Sequence, residues 1–245
     1  MSQAFRDALD LAHDRGRTLR FWLRDDDATR PDPALEHLLA LCAGHDAPPT
    51  LAVIPAYVQA DLAPALSAGV RVALHGWAHE NHAPPHEKTQ ELGAHRPAEQ
   101  VLAQLADGRQ RLRALFPGQL IDLLVPPWNR IAPRVIAGLP GIGIRALSAF
   151  GKVTAANLPV LNPDIDPIDW HGTRSLHDPD RLWHNLTLAA LGGIQTGKPI
   201  GILTHHLDHD AAIWGFLDRL MTLTDHAACR WVAPDDILPE LARAG

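Results

Sequence analysis

The sequence predicts an α/β fold, a TIM-like (β/α) barrel. Three observations predict it. Eight short apolar runs alternate with longer segments of helical periodicity. The chain has 245 residues, 46% of them apolar, which suits one barrel spanning residues 1–245 as a single domain. Residues able to do chemistry recur directly after several of the apolar runs, where barrels and open α/β sheets carry their sites. An open doubly wound sheet is the alternative arrangement of the same alternation.

The candidate strands are, in order, Leu19–Leu23, Thr50–Ile54, Val70–Leu74, Ile121–Val125, Gly143–Leu147, Pro159–Leu161, Ile200–Leu203 and Arg230–Val232. Each is short and apolar with turn residues nearby, as strands buried on both faces should be. After the first strand, Asp32 and Pro33 read as an N-cap and first helical residue. The stripe Leu35, Leu38, Leu39 follows, and Gly44 ends it. Residues 97–116 repeat Val101, Leu102, Leu105, Leu112 and Leu115 at helical spacing, and 179–191 and 211–223 do the same. The longest irregular stretch is Glu80–Arg96, rich in Pro, His and charge; loops of that length are often functional.

Composition excludes some classes of function. The formal net charge of -6 disfavours nucleic-acid and anionic-membrane partners, which reward a basic face. Cys42 and Cys229 form neither a disulfide framework nor a cysteine-rich zinc module, and read as small buried hydrophobes. No apolar run is long enough to span a bilayer, and the first residues are charged rather than signal-like, so a cytoplasmic location is expected. Histidine is the outlier, at 15 residues, which is compatible with metal or acid–base chemistry.

Arg24-Asp25-Asp26-Asp27 follows the first strand, and adjacent carboxylates need a cation or full solvation to coexist. Three H-x-x-x-H pairs occur, His75/His79, His82/His86 and His205/His209. The second spans Pro84 and Pro85, which oppose helical geometry. Only His75/His79 directly follows a clear strand while an acidic cluster ends another. Two imidazoles and a carboxylate leave open metal positions for water and substrate. Pro126-Pro127-Trp128 is a stiff turn able to aim a backbone N–H, and His205 ends a strand, where it can serve as a general acid.

In chain order these segments resemble the five motifs of the polysaccharide deacetylase superfamily, the NodB-homology, carbohydrate esterase family 4-like proteins. They are Asp25-Asp26-Asp27, His75-Gly76-Trp77-Ala78-His79, Val125-Pro126-Pro127-Trp128-Asn129, Asp166-Pro167-Ile168-Asp169-Trp170 and Ile202-Leu203-Thr204-His205. The resemblance implies a distorted (β/α) barrel, usually of seven strands. It implies a metal-dependent hydrolase that removes an acyl, commonly acetyl, group from an amide on a sugar-like small molecule or oligosaccharide. It implies a divalent metal, commonly zinc, on Asp27, His75 and His79, with Asp26 as general base. The Trp128 N–H would stabilise the oxyanion, His205 would protonate the leaving amine, and Asp166 or Asp169 would tune His205.

The chain departs from the pattern at several positions. Val125 stands where the motif has an arginine, with Arg130 or Arg24 as possible substitutes, and Asn129 and Ala28 stand where it has glycines. The triple aspartate also admits a register with Asp25 as base and Asp26 as ligand, and His206 competes with His205. A non-sugar amide hydrolase and a non-catalytic carbohydrate-binding homologue are the alternative functions. The substrate and the oligomeric state are not legible in the sequence.

Overall fold

The computed structural model describes residues 2–151 and 153–244. The first elements are α1 (Gln3–Asp14), β1 (Leu19–Ala28), α2 (Pro33–Gly44), β2 (Pro49–Val53), α3 (Leu62–Ala65) and β3 (Arg71–His75). Then come α4 (Ala98–Leu115), β4 (Leu120–Val125), α5 (Pro133–Gly138) and β5 (Ala146–Leu147). The last are α6 (Pro179–Thr196), β6 (Ile200–Thr204), α7 (Ala211–Thr224), β7 (Cys229–Trp231) and α8 (Pro234–Ala244). The pairings of β1 with β6 and β7, of β2 with β3, of β3 with β4 and of β4 with β5 are all parallel. The fold is α/β, of the distorted (β/α)-barrel class.

The described residues divide into two compact units. The first comprises 2–25, 32–49 and 163–233, and the second 26–31, 50–151, 153–162 and 234–244. In the first, β1 pairs with β6 from Phe21 opposite Ile200 to Asp25 opposite Thr204, and with β7 from Leu19 opposite Cys229. Its core gathers Phe5 and Leu9 of α1, Phe21 and Leu23 of β1, Trp183 and Leu186 of α6, and Phe216 and Leu217 of α7. Burying side chains of this size contributes about 1.5–3 kcal/mol each. In the second unit, β2 pairs with β3, β3 with β4 and β4 with β5. Ala52, Ala73, Leu123, Val125 and Ala146 form an apolar cluster there.

Helix starts follow local chemistry. The Asp32 side chain accepts from the N–H groups of Ala34 and Leu35 at 2.9 Å, and Pro33 is preset for the first turn. Asp178 caps α6 and Asp210 caps α7 in the same way. The predicted stripes lie inside α2, α4, α6 and α7. Helix α1 was not expected, although Phe5, Ala8, Leu9 and Ala12 share one buried face at helical spacing.

Two strand expectations are corrected. Pro159–Leu161 is not a strand: only an isolated bridge joins Val160 to Leu147, and flanking prolines at 159 and 163 limit further pairing. The described strands therefore number seven. The expected strand over 143–147 shortens to Ala146–Leu147. Gly143, at φ 81°, ends the preceding turn of helix in a left-handed conformation that cannot join a ladder.

Candidate metal centre

The three consecutive aspartates at the end of β1 have three different surroundings. Asp25 is fully buried, in the first unit. Its carboxylate accepts from the Thr204 hydroxyl at 2.7 Å and the His206 N–H at 2.9 Å, and pairs closely with His206 Nδ1. Burial opposes its ionisation. The charge and hydrogen bond of His206 and the Thr204 hydroxyl outweigh burial, and hold the carboxyl below its ordinary range. Asp26 is buried in the second unit. Asp27 adopts φ 73°, a left-handed conformation that costs a non-glycine residue roughly 1–2 kcal/mol.

This turn aims Asp27 at the two histidines of the second unit. Asp27 Oδ1 lies 3.1 Å from His75 Nε2 and 3.4 Å from His79 Nε2. His75 is the last residue of β3, and its Nδ1 donates to the Val125 carbonyl at 2.9 Å. That bond leaves the Nε2 lone pair facing a carboxylate oxygen, a pairing that needs a proton or a cation between the two acceptors. Burial works against a charged His75. The Asp27 hydrogen bond and the charges of Asp26 and Asp27 outweigh it, and the imidazole is raised above its ordinary range. For His79, burial dominates and the imidazole is shifted down. Among the described residues, Asp27, His75 and His79 are the group of ligand-type side chains whose donor atoms converge, all within 4.8 Å. This donor set fits a divalent ion of the zinc class.

The loop from His75 to His79 is held from below. Gly76 and His79 both have positive φ, at 56° and 55°. The buried Glu91 carboxylate accepts the N–H groups of Trp77 at 3.0 Å, Ala78 at 2.9 Å and His79 at 3.2 Å. A Cβ at position 76 would fall 2.2 Å from Glu91 Oε2 and 2.6 Å from Pro127 Cγ, so glycine is required there. Sequence reasoning marked the Glu80–Arg96 segment but not Glu91, whose partners are main-chain groups that leave no side-chain pattern.

The turn after β4 carries Trp128 at φ 52° and Asn129 at φ 57°, so two successive side-chain-bearing residues are left-handed. The Trp128 ring sits against the His79 ring, centroids 4.2 Å apart. Val125, in the motif-arginine position, is fully buried in the apolar cluster and serves through its carbonyl. Arg130 donates to the Thr89 carbonyl at 2.8 Å, and Arg24 is fully buried.

The remaining motif residues belong to the first unit. His205 is half-buried just after β6, and its N–H donates to His209 Nε2 at 3.2 Å. Burial pushes His209 down to about 4, which keeps its ring a neutral acceptor. The Trp170 ring meets His205 edge to face at 4.7 Å, and Asp166 accepts from the Trp170 indole N–H at 2.8 Å. Asp169 accepts from Thr173 N–H at 3.2 Å, closing its own turn. His206 is the buried neighbour, engaged by Asp25 and 3.7 Å from Asp32.

No protein-family model matches the sequence, and no curated protein does. Solved structures share its fold. The peptidoglycan deacetylase PdaC from Bacillus subtilis superposes with a TM-score of 0.57 at 18% identity, over 93% of each chain. A family 4 acetyl xylan esterase from Clostridium thermocellum, in complex with a cobalt ion, gives 0.57 at 14% identity over 90% of this chain and 91% of that one. A mutant of a family 4 carbohydrate esterase pseudoenzyme gives 0.61 at 16% identity over 90% of this chain and 67% of that one. The chain thus shares the fold of these solved structures, the distorted (β/α) barrel that the motif resemblance implies. No described helix is long and apolar enough to cross a membrane.

Proposed function

We propose that this protein is a metal-dependent hydrolase of the polysaccharide deacetylase type, one domain over residues 1–245, that removes an acetyl or similar acyl group from an amide on a sugar or sugar-like substrate. The observation that carries the reading is the convergence of Asp27, His75 and His79. The ligand-type tautomer of His75, set by the Val125 carbonyl, supports it. These three residues would hold a divalent ion, zinc being the best match to two imidazoles and one carboxylate. Such an ion supplies an acidified water and polarises an acyl carbonyl.

The chain's own residues take the proton steps and the positioning. Asp26, buried one residue before Asp27, is the general base that receives the attacking water's proton. The Trp128 N–H donates to the oxygen that becomes negative at the tetrahedral stage. His205 gives a proton to the leaving amine. Asp166 is preferred to Asp169 as its support, since it holds the indole packed on His205.

The test is acetate release from N-acetylated chito-oligosaccharides by protein loaded with zinc or cobalt. Metal-dependent release supports the reading; binding of the ion without release from any acylated sugar or simple amide overturns it. A second reading, a homologue that holds the ion without turnover, is favoured by one observation: Val125 puts an apolar core side chain where the motif carries arginine.

A further inference from the structure

We infer that Glu91 is a positioning residue for the Asp27–His75–His79 centre, fixing the second histidine through the main chain of its loop. The inference rests on the metal-centre reading above. A buried carboxylate that takes three successive N–H groups is a strong, charge-assisted cradle. Its two oxygens act on different parts of the loop. Oε1 accepts from Trp77 and Ala78, and Oε2 accepts from His79 itself. Gly76 leaves the space through which Oε2 reaches the loop. Glu91 is held in turn, since Arg96 donates to its carbonyl at 3.0 Å and reaches Gln104 of α4 at 2.7 Å. The next residue, Leu92, accepts from Ala132 N–H at 2.8 Å and bridges Ile131, three positions beyond Trp128. One anchored segment therefore sets both the loop that carries His79 and the end of the turn that places the Trp128 ring on it.

This arrangement assigns Glu91 an effect on metal affinity that its distance from the ligand atoms would not suggest. Outer residues that orient ligands typically change affinity roughly 10–100-fold when altered. In Glu91→Gln one oxygen becomes an NH2 group. With the amide oxygen kept by Trp77 and Ala78, the His79 N–H faces a donor.

The test is cobalt titration of metal-free protein, read by the visible absorption of the bound ion, for wild type, Glu91→Gln, Gly76→Ala and the exposed control Glu99→Gln. Amide hydrogen exchange at residues 77–79 is followed in the metal-free state. We expect roughly 10–100-fold weaker binding, an altered cobalt spectrum and faster His79 exchange in Glu91→Gln. Weaker binding is expected in Gly76→Ala and none of these changes in Glu99→Gln. Wild-type affinity and spectrum in Glu91→Gln overturn the inference and leave the metal reading standing. A wild-type protein that binds no cobalt overturns both. Should Glu91→Gln fail to fold, Gly76→Ala, which perturbs the same contact from the loop side, decides between these outcomes.

Discussion

The Asp25 carboxylate holds His206 twice, through its main-chain N–H at 2.9 Å and through its ring Nδ1. Both residues are buried, and the same carboxylate also takes the Thr204 hydroxyl. One charge thus grips the residues on either side of His205.

This pair makes acid stability a property of Asp25. Its folded carboxyl titrates below its unfolded value, so its contribution is complete above the ordinary carboxylate range and is lost as pH falls through the depressed folded value. Asp25→Asn breaks a buried pair, and a loss of about 3–5 kcal/mol at neutral pH is expected. Urea denaturation at pH 7 and below pH 4 checks both parts. The variant should be much weaker at pH 7 and should lack a share of the wild-type acid sensitivity. Equal stability at pH 7 would refute the pair's role.

His75→Ala and His79→Ala should each release the ion, and the double variant should hold none, against roughly one equivalent in wild type. Metal content by elemental analysis of the folded proteins decides it. Full occupancy in both single variants would rule out these ligands. The two should differ in stability. His75 is buried against the Val125 carbonyl, so its loss leaves a buried acceptor unpaired, at a cost of about 1–3 kcal/mol. His79 is only partly buried and should cost less.

Asp26→Asn should retain the ion and lose roughly 10²–10⁴-fold in kcat, the usual share of a general base. Asp27→Asn should weaken the ion first. Parallel metal titration and steady-state kinetics separate the two, and the reverse pattern would assign the ligand to Asp26.

These distinctions mark where sequence reasoning reaches and where it stops. The buried strands β3 and β6 were legible because continuous apolar runs have few other uses, and α2 because Asp32 and Pro33 punctuate it. Helix α1 was missed because exposed charges such as Arg6, Asp7 and Asp10 stand between its apolar residues in the chain, although Phe5, Ala8, Leu9 and Ala12 keep one face. The three aspartates are chemically identical in sequence. Strand alternation and the left-handed turn at Asp27 separate them, and neither is written in residue identity. Glu91 was hidden for a related reason: it recognises main-chain N–H groups, which every residue other than proline offers.

His205 and His206 provide the last prediction, since adjacent residues of one type are expected to fail in different ways. His206 is buried and tied to Asp25, so His206→Ala should remove the imidazole from a buried pair and destabilise the fold by about 3–5 kcal/mol. His205 is half-buried, with its ring against Trp170 and its N–H bonded to His209. Substitution by alanine keeps that N–H and should change stability little. If His205 protonates the leaving amine, His205→Ala should lower kcat roughly 10²–10⁴-fold, and a substrate with a more acidic leaving group should suffer less. Trp170→Phe, which keeps a ring but removes the indole N–H from Asp166, should give a smaller fall in kcat with little change in KM. Urea midpoints and kcat measured on the same preparations provide the comparison. A stable His206→Ala protein with no turnover, beside an active His205→Ala protein, would move the acid to His206.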